Sequence, residues 1–88
     1  MNKQRRKMLA EAIEKLEQAV SLMEEAMEIV ETAKDEEQEA LDNMPESLQE
    51  SERGQMTQEN VDTLDEMYGN IESYIDELNE TVGRLGEL

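Results

Sequence analysis

The chain has 88 residues, with 8 basic against 24 acidic side chains, a net charge of −16, and no Cys, His, Phe or Trp. Lacking Cys and His, it has no means to build disulfide frameworks, thiol redox centres, Cys/His zinc sites or His-based catalysis. Tyr68 and Tyr74 are the only aromatics, too few for a base-stacking platform, and the charge repels nucleic acid and anionic membranes.

Lys3, Arg5, Arg6 and Lys7 open the chain, and every acidic residue lies from Glu11 onward. No apolar run approaches the roughly 20 residues that span a bilayer, and no apolar stretch follows the basic start as a secretory signal requires. The expectation is a cytoplasmic protein that contacts neither membrane nor nucleic acid directly. A charge match within the chain or between subunits is the expected role of the basic start.

The first helix is read from its seam. Leu9, Ile13, Leu16, Val20, Met23, Met27 and Val30 follow at intervals alternating between 4 and 3, the period of a heptad helix and not of a strand. Beside it Ala12, Ala19, Ala26, Ala33 and Ala40 recur every seven residues, a small-residue column that lets a neighbouring helix approach closely. Met23 and Met27 are core filler on this pattern. Lys34 and Glu37 fall where apolar residues are expected. The reading is that the seam loosens there and the two pair with each other one turn apart; a polar layer fixing register is the alternative.

Pro45, the only proline, disfavours helical geometry at Met44 and ends the first helix near that residue. Pro45 with Glu46 suits the opening of one short helical turn. Ser51, Arg53 and Gly54 are turn-type residues, and Thr57 is the expected N-cap of the next helix. The predicted elements are a helix over about 3–44, a turn over about 45–54 and a helix over about 55–86.

The second helix repeats the spacing in Val61, Leu64, Tyr68, Ile71, Ile75, Leu78, Val82 and Leu85, with Met67, Tyr74 and Leu88 widening one side. Gly69 and Gly83 each weaken a helix by about 1 kcal/mol relative to Ala, and Gly83 and Gly86 mark a C-terminus expected to fray. Folded back at the turn, the two seams are of nearly equal length, so the fold class is all-α, a two-helix antiparallel coiled-coil hairpin. Antiparallel pairing brings Lys3, Arg5, Arg6 and Lys7 toward Glu77, Glu80 and Glu87. One pair of helices has a thin core, so a dimer of hairpins forming a four-helix bundle is expected. A trimer, or a bundle completed by another protein, is the alternative.

Acidic clusters are the remaining candidates for chemistry. Asp35, Glu36, Glu37, Glu39 and Asp42, or Asp62, Asp65 and Glu66, lack the alternating ligands and central Gly of a calcium loop. The Glu-x-x-His pairs of di-iron bundles need His. Carboxylates on solvent faces without a pocket or nucleophile do not make an acid–base site. No metal, cofactor or enzymatic activity is expected.

The stretch Asp35 to Gly54, read as DEEQEA-x-DN-x-PESLQ-x-SERG, resembles a family of short acidic helical-hairpin proteins of bacteriophages, prophages and bacteria. The resemblance implies a phage or bacterial cytoplasmic setting and carries over no catalytic or binding residue. Within it, Asn43, Pro45, Ser47, Gln49, Glu52 and Arg53 form a possible docking turn, beside the plainer reading that Asn43 and Pro45 stop one helix while Ser51, Gly54 and Thr57 admit the next.

Two functional readings follow. The first is a non-enzymatic acidic protein that self-associates and binds protein partners, itself first and then a basic bacterial protein. The second is a DNA-mimic inhibitor of a host nucleic-acid-binding or defence protein, presenting Glu17, Glu24, Glu28, Glu31 and Asp35 along one helix flank. A charge run is more often a solvated face that keeps a helical protein in solution.

Overall fold

The computed structural model describes residues 1–88. It has three helices and no strand: α1 (Lys3–Asp42), α2 (Glu46–Gln49) and α3 (Glu52–Gly86). Asn2 starts α1, its side-chain oxygen accepting from the Arg5 backbone N–H at 2.8 Å, which satisfies one of the free donors of the first turn. The helix then runs for 40 residues, about 60 Å at 1.5 Å per residue. It stops at Asp42, two residues short of the expected end, with Asn43 as its C-cap.

The expected short helical turn is present as α2, entered from Pro45 at φ −56° and ψ 147°. Gln49 closes the corner: its Nε2 donates to the carbonyls of Leu41 at 3.3 Å and Met44 at 3.0 Å, tying α2 to the end of α1, where the Leu41 carbonyl also accepts from the Met44 N–H at 3.1 Å.

The second long helix begins earlier than Thr57 suggested. Ser51 is its N-cap, accepting from the Gly54 N–H at 3.4 Å while its hydroxyl donates to the Leu48 carbonyl. Thr57 lies inside the helix, buried, its hydroxyl donating to the Arg53 carbonyl at 2.9 Å. Gly54 is buried where α3 crosses α2: a Cβ there would stand 2.2 Å from the Gln49 carbonyl oxygen. Backbone meets backbone at this point, and only glycine leaves room. At the other end α3 continues through Gly69 and Gly83 to Gly86 with Glu87 as C-cap.

α1 and α3 lie antiparallel along their length. Arg6 Nε donates to the Leu88 carbonyl at 3.2 Å at the open end, and Asn60 Nδ2 donates to Glu37 Oε2 at 2.8 Å near the tip. The contact is the seam read from the sequence. Val20, Val61 and Ile75 are buried, and Leu9, Ile13, Leu16, Met23, Met27, Val30, Leu64, Tyr68, Ile71, Leu78, Val82 and Leu85 are half-buried around them. The 4–3 spacing continues past Val30 through half-buried Lys34, Glu37, Leu41 and Met44, and back from Val61 through buried Thr57 and Gly54.

The result is a rod of 68 × 15 × 13 Å with a radius of gyration of 19.9 Å, against about 12 Å for a compact chain of this length. It exposes 6807 Å², whereas a compact monomer of its mass exposes about 5,300 Å². No helix is long and apolar enough to cross a membrane.

Candidate functional site

Placing Ile13 and Val61 at heptad position a puts Leu16 and Leu64 at d and divides the rod into two unlike sides. Gln38, Gln58 and Asp65, all at position e, line one shallow depression together with Lys34 and Asp62. The e residues of both helices therefore share a side, and the g residues share the opposite one.

The e side is polar and cross-linked. Lys34 Nζ stands 3.3 Å from Asp65 Oδ1 and 5.8 Å from the centre of the Tyr68 ring. The hydrogen bond to Asp65, followed by the negative charges around it, raises the Lys34 pKa above the ordinary 10.5. Tyr68 is raised above 10.0, first by the charge of Glu31 and then by partial desolvation, because a phenolate there would face a carboxylate. On the other side of the seam Asn60, at position g, donates to Glu37 at 2.8 Å, and together these contacts correct the expected pairing: Lys34 and Glu37 do not pair with each other, and each reaches across to α3. The seam does not loosen near the tip. It changes from apolar to polar packing while keeping its spacing.

The g side is the opposite in character. From Ala12 to Ala40 on α1 the g positions are all alanine, and on α3 and just past its end they are Asn60, Met67, Tyr74, Thr81 and Leu88. None of these ten carries a charge, in a chain where 36% of residues do. The alanine column does not lie between α1 and α3: Ala12, Ala26, Ala33 and Ala40 are exposed and Ala19 is half-buried. Next to it, at position c, stand Met8, Leu22 and Ile29, exposed at 62%, 65% and 70%. Met67 and Tyr74 widen the same side from α3, at 40% and 53%. Met8, Leu22 and Ile29 were not singled out in the sequence, although the signal is there: each precedes a seam residue by one, tracing a second heptad column.

Asn43, Pro45, Ser47, Glu52 and Arg53 are exposed at the tip, and so is Gln49, whose side chain is committed to the α1 carbonyls. Glu52 sits in the first turn of α3, where a negative charge favours the helix dipole. The turn is thus held together largely by its own residues. At the open end Lys3, Arg5, Arg6 and Lys7 form no ion pair with Glu77, Glu80 or Glu87; the one salt bridge in the chain is Lys34–Asp65. The acidic stretches do not gather three carboxylates into a metal-holding group, and Glu17, Glu24, Glu28, Glu31 and Asp35 all stand exposed. No protein-family model, curated protein or solved structure matches the chain.

Proposed function

We propose that the hairpin is a non-enzymatic interaction protein that acts through protein–protein association, and that its g side, built on the two uncharged g columns, is the surface that associates. One observation carries this reading: a chain of net charge −16 keeps two runs of five g positions free of charged side chains, exposed Met67 and Tyr74 among them, and sets exposed Leu22 and Ile29 beside them. Solvated faces on so acidic a rod have no reason to exclude charge, whereas a face covered by another helix does. Covering it completes the thin core, and two hairpins meeting there form a four-helix bundle. The resemblance of the turn implies a phage or bacterial cytoplasmic setting, and a basic bacterial protein is the further partner proposed.

Light scattering on the purified chain tests the reading. The expected result is a mass that rises with concentration from 10.1 kDa toward twice that value and resists added salt, since the contact is apolar. A mass fixed at the monomer value across the micromolar range removes self-association from the proposal.

The exposed row Glu17, Glu24, Glu28, Glu31 and Asp35 supports a second reading, a DNA-mimic inhibitor. From Glu24 onward its acids step by about 5.5 Å along the helix axis at 1.5 Å per residue, sparser than the 3.4 Å per phosphate of one DNA strand. Binding to a DNA-binding protein that falls steeply between 50 and 200 mM salt, roughly as DNA binding does, would favour it.

A further inference from the structure

We infer that the partner on the g side is a second copy of this chain lying head to tail, α1 against α1, with Ala26 near a two-fold axis; this rests on the association reading above. The order of residues in the second column motivates it. Along position c, α1 carries Met8, Lys15, Leu22, Ile29, Glu36 and Asn43, an order with a centre between residues 25 and 26. Antiparallel pairing about that centre sets Leu22 against Ile29 of the second copy and Lys15 against Glu36 of the second copy, each twice. Parallel pairing in register sets Lys15 on Lys15 and Glu36 on Glu36. Of these two α1–α1 orders, the head-to-tail one makes Lys15 and Glu36 complementary.

The alanines fit the same arrangement. Pairing about Ala26 sets Ala19 against Ala33 and Ala12 against Ala40 of the second copy, small on small throughout, so the two α1 axes approach toward the short end of the usual 8–10 Å. A side of the rod measuring 68 × 15 Å is large enough to hold the roughly 800 Å² per partner of a standard stable interface.

The ends of the rod give independent support. α1 has no acid in its first turn and no base in its last; it starts with Lys3, Arg5 and Arg6 and finishes with Glu39 and Asp42. That order opposes the helix dipole at both ends. Residues 35–59, around the tip, hold nine acids and one base, Arg53, while the cations of the open end pair with no acidic side chain of the chain, Arg6 bonding instead to the Leu88 main-chain oxygen. A second copy laid head to tail brings each basic end to an acidic tip, and also sets the two α1 dipoles antiparallel.

Cross-linking distinguishes the arrangements, and the absence of cysteine makes single-cysteine variants clean. Leu22→Cys and Ile29→Cys are prepared separately, each checked for mass by light scattering, then oxidised alone and as an equal mixture. The expected result is a dimer in which the mixture cross-links at least several-fold more than either variant alone. In a head-to-tail pair residue 22 stands about 10 Å from residue 22 of the second copy at 1.5 Å per residue, beyond disulfide reach. Dimers that cross-link 22 to 22 and 29 to 29 would overturn the inference and leave the association reading standing. Monomeric mass would overturn both and leave the face to a different protein. Charge reversal gives a second readout without cysteine. Lys15→Glu is expected to weaken the dimer by about tenfold, and adding Glu36→Lys to restore it; a double variant as weak as the single also overturns the inference.

Discussion

Asp65 accepts the Lys34 ammonium at 3.3 Å across the hairpin, and Glu37 accepts from Asn60 at 2.8 Å one turn nearer the tip. Two polar contacts thus replace two apolar layers of the same seam. Apolar layers of Leu, Ile and Met tolerate a slip of one heptad with modest loss, whereas a lysine displaced by seven residues loses its carboxylate. The pair is open to solvent, with 26% and 69% of the two side chains exposed, so its role is to choose a register more than to add stability.

The same contacts set a pH dependence. Lys34 and Tyr68 are both raised above their ordinary values of 10.5 and 10.0. The folded chain therefore holds these two protons to higher pH than the unfolded chain does. Their contribution is fully present below pH 10 and is lost as pH rises through the ordinary and then the raised values. Urea midpoints followed from pH 8 to 11 are expected to stay level and then fall. Asp65→Asn, which takes away the first cause of the Lys34 shift, and Tyr68→Phe should each flatten the decline. An unchanged slope in both variants would detach the decline from these residues.

Two glycines of one helix should respond to alanine with opposite signs. Gly54→Ala places a methyl against the Gln49 carbonyl, backbone that moves only if α2 shifts off α3, and costs about 1–3 kcal/mol. At Gly69 an added Cβ meets nothing within 4 Å, so Gly69→Ala gains about 0.5–1 kcal/mol of helix propensity. Circular dichroism melts should move down and up respectively, by about 4–8 °C per kcal/mol for a domain of this size. A neutral Gly54→Ala would contradict the close crossing of α2 and α3.

The N-terminus of α3 can be located by two further substitutions. Ser51→Ala removes the cap and costs about 1 kcal/mol. Thr57→Val exchanges a buried hydroxyl, bonded only to the carbonyl one turn back, for a methyl on the seam. It is expected to be neutral or stabilising in thermal melts. If Thr57 capped the helix, this change would cost as much as Ser51→Ala.

These residues also show what the sequence made legible. The seams, the hairpin and the turn of helix after Pro45 follow from 4–3 spacing and proline sterics, which are local properties. Thr57 misled because Ser51 and Thr57 are both capable caps; the deciding signal was that Gly54 and Thr57 continue the spacing of Val61 and Leu64, so the helix had to start before them. The partners of Lys34 and Glu37 lie 31 and 23 residues away, a distance over which periodicity identifies the layer but not the bond. Leu22 and Ile29 were hidden for a different reason. Each stands next to a stronger seam residue, and one apolar column masks another offset by a single position until the chain is folded.

Folding and association should separate when a charge is placed on each column. Ile75 is 7% exposed and packs between α1 and α3, so Ile75→Glu buries an unpaired carboxylate and is expected to unfold the hairpin, with loss of helical circular dichroism. Ile29 is 70% exposed on the g side, so Ile29→Glu leaves the α1–α3 seam untouched. In the monomer it should change stability by less than about 0.5 kcal/mol, as surface substitutions do. In the pair it sets a carboxylate against Leu22 of the second copy, twice by symmetry, and each buried charge without a partner costs several kcal/mol. The expected result is full helicity at low concentration together with a monomeric mass at concentrations where the parent chain is dimeric. Unchanged association would show that the exposed column beside the alanines is not the contact surface, and loss of helicity at every concentration would place Ile29 in the fold and not on its surface.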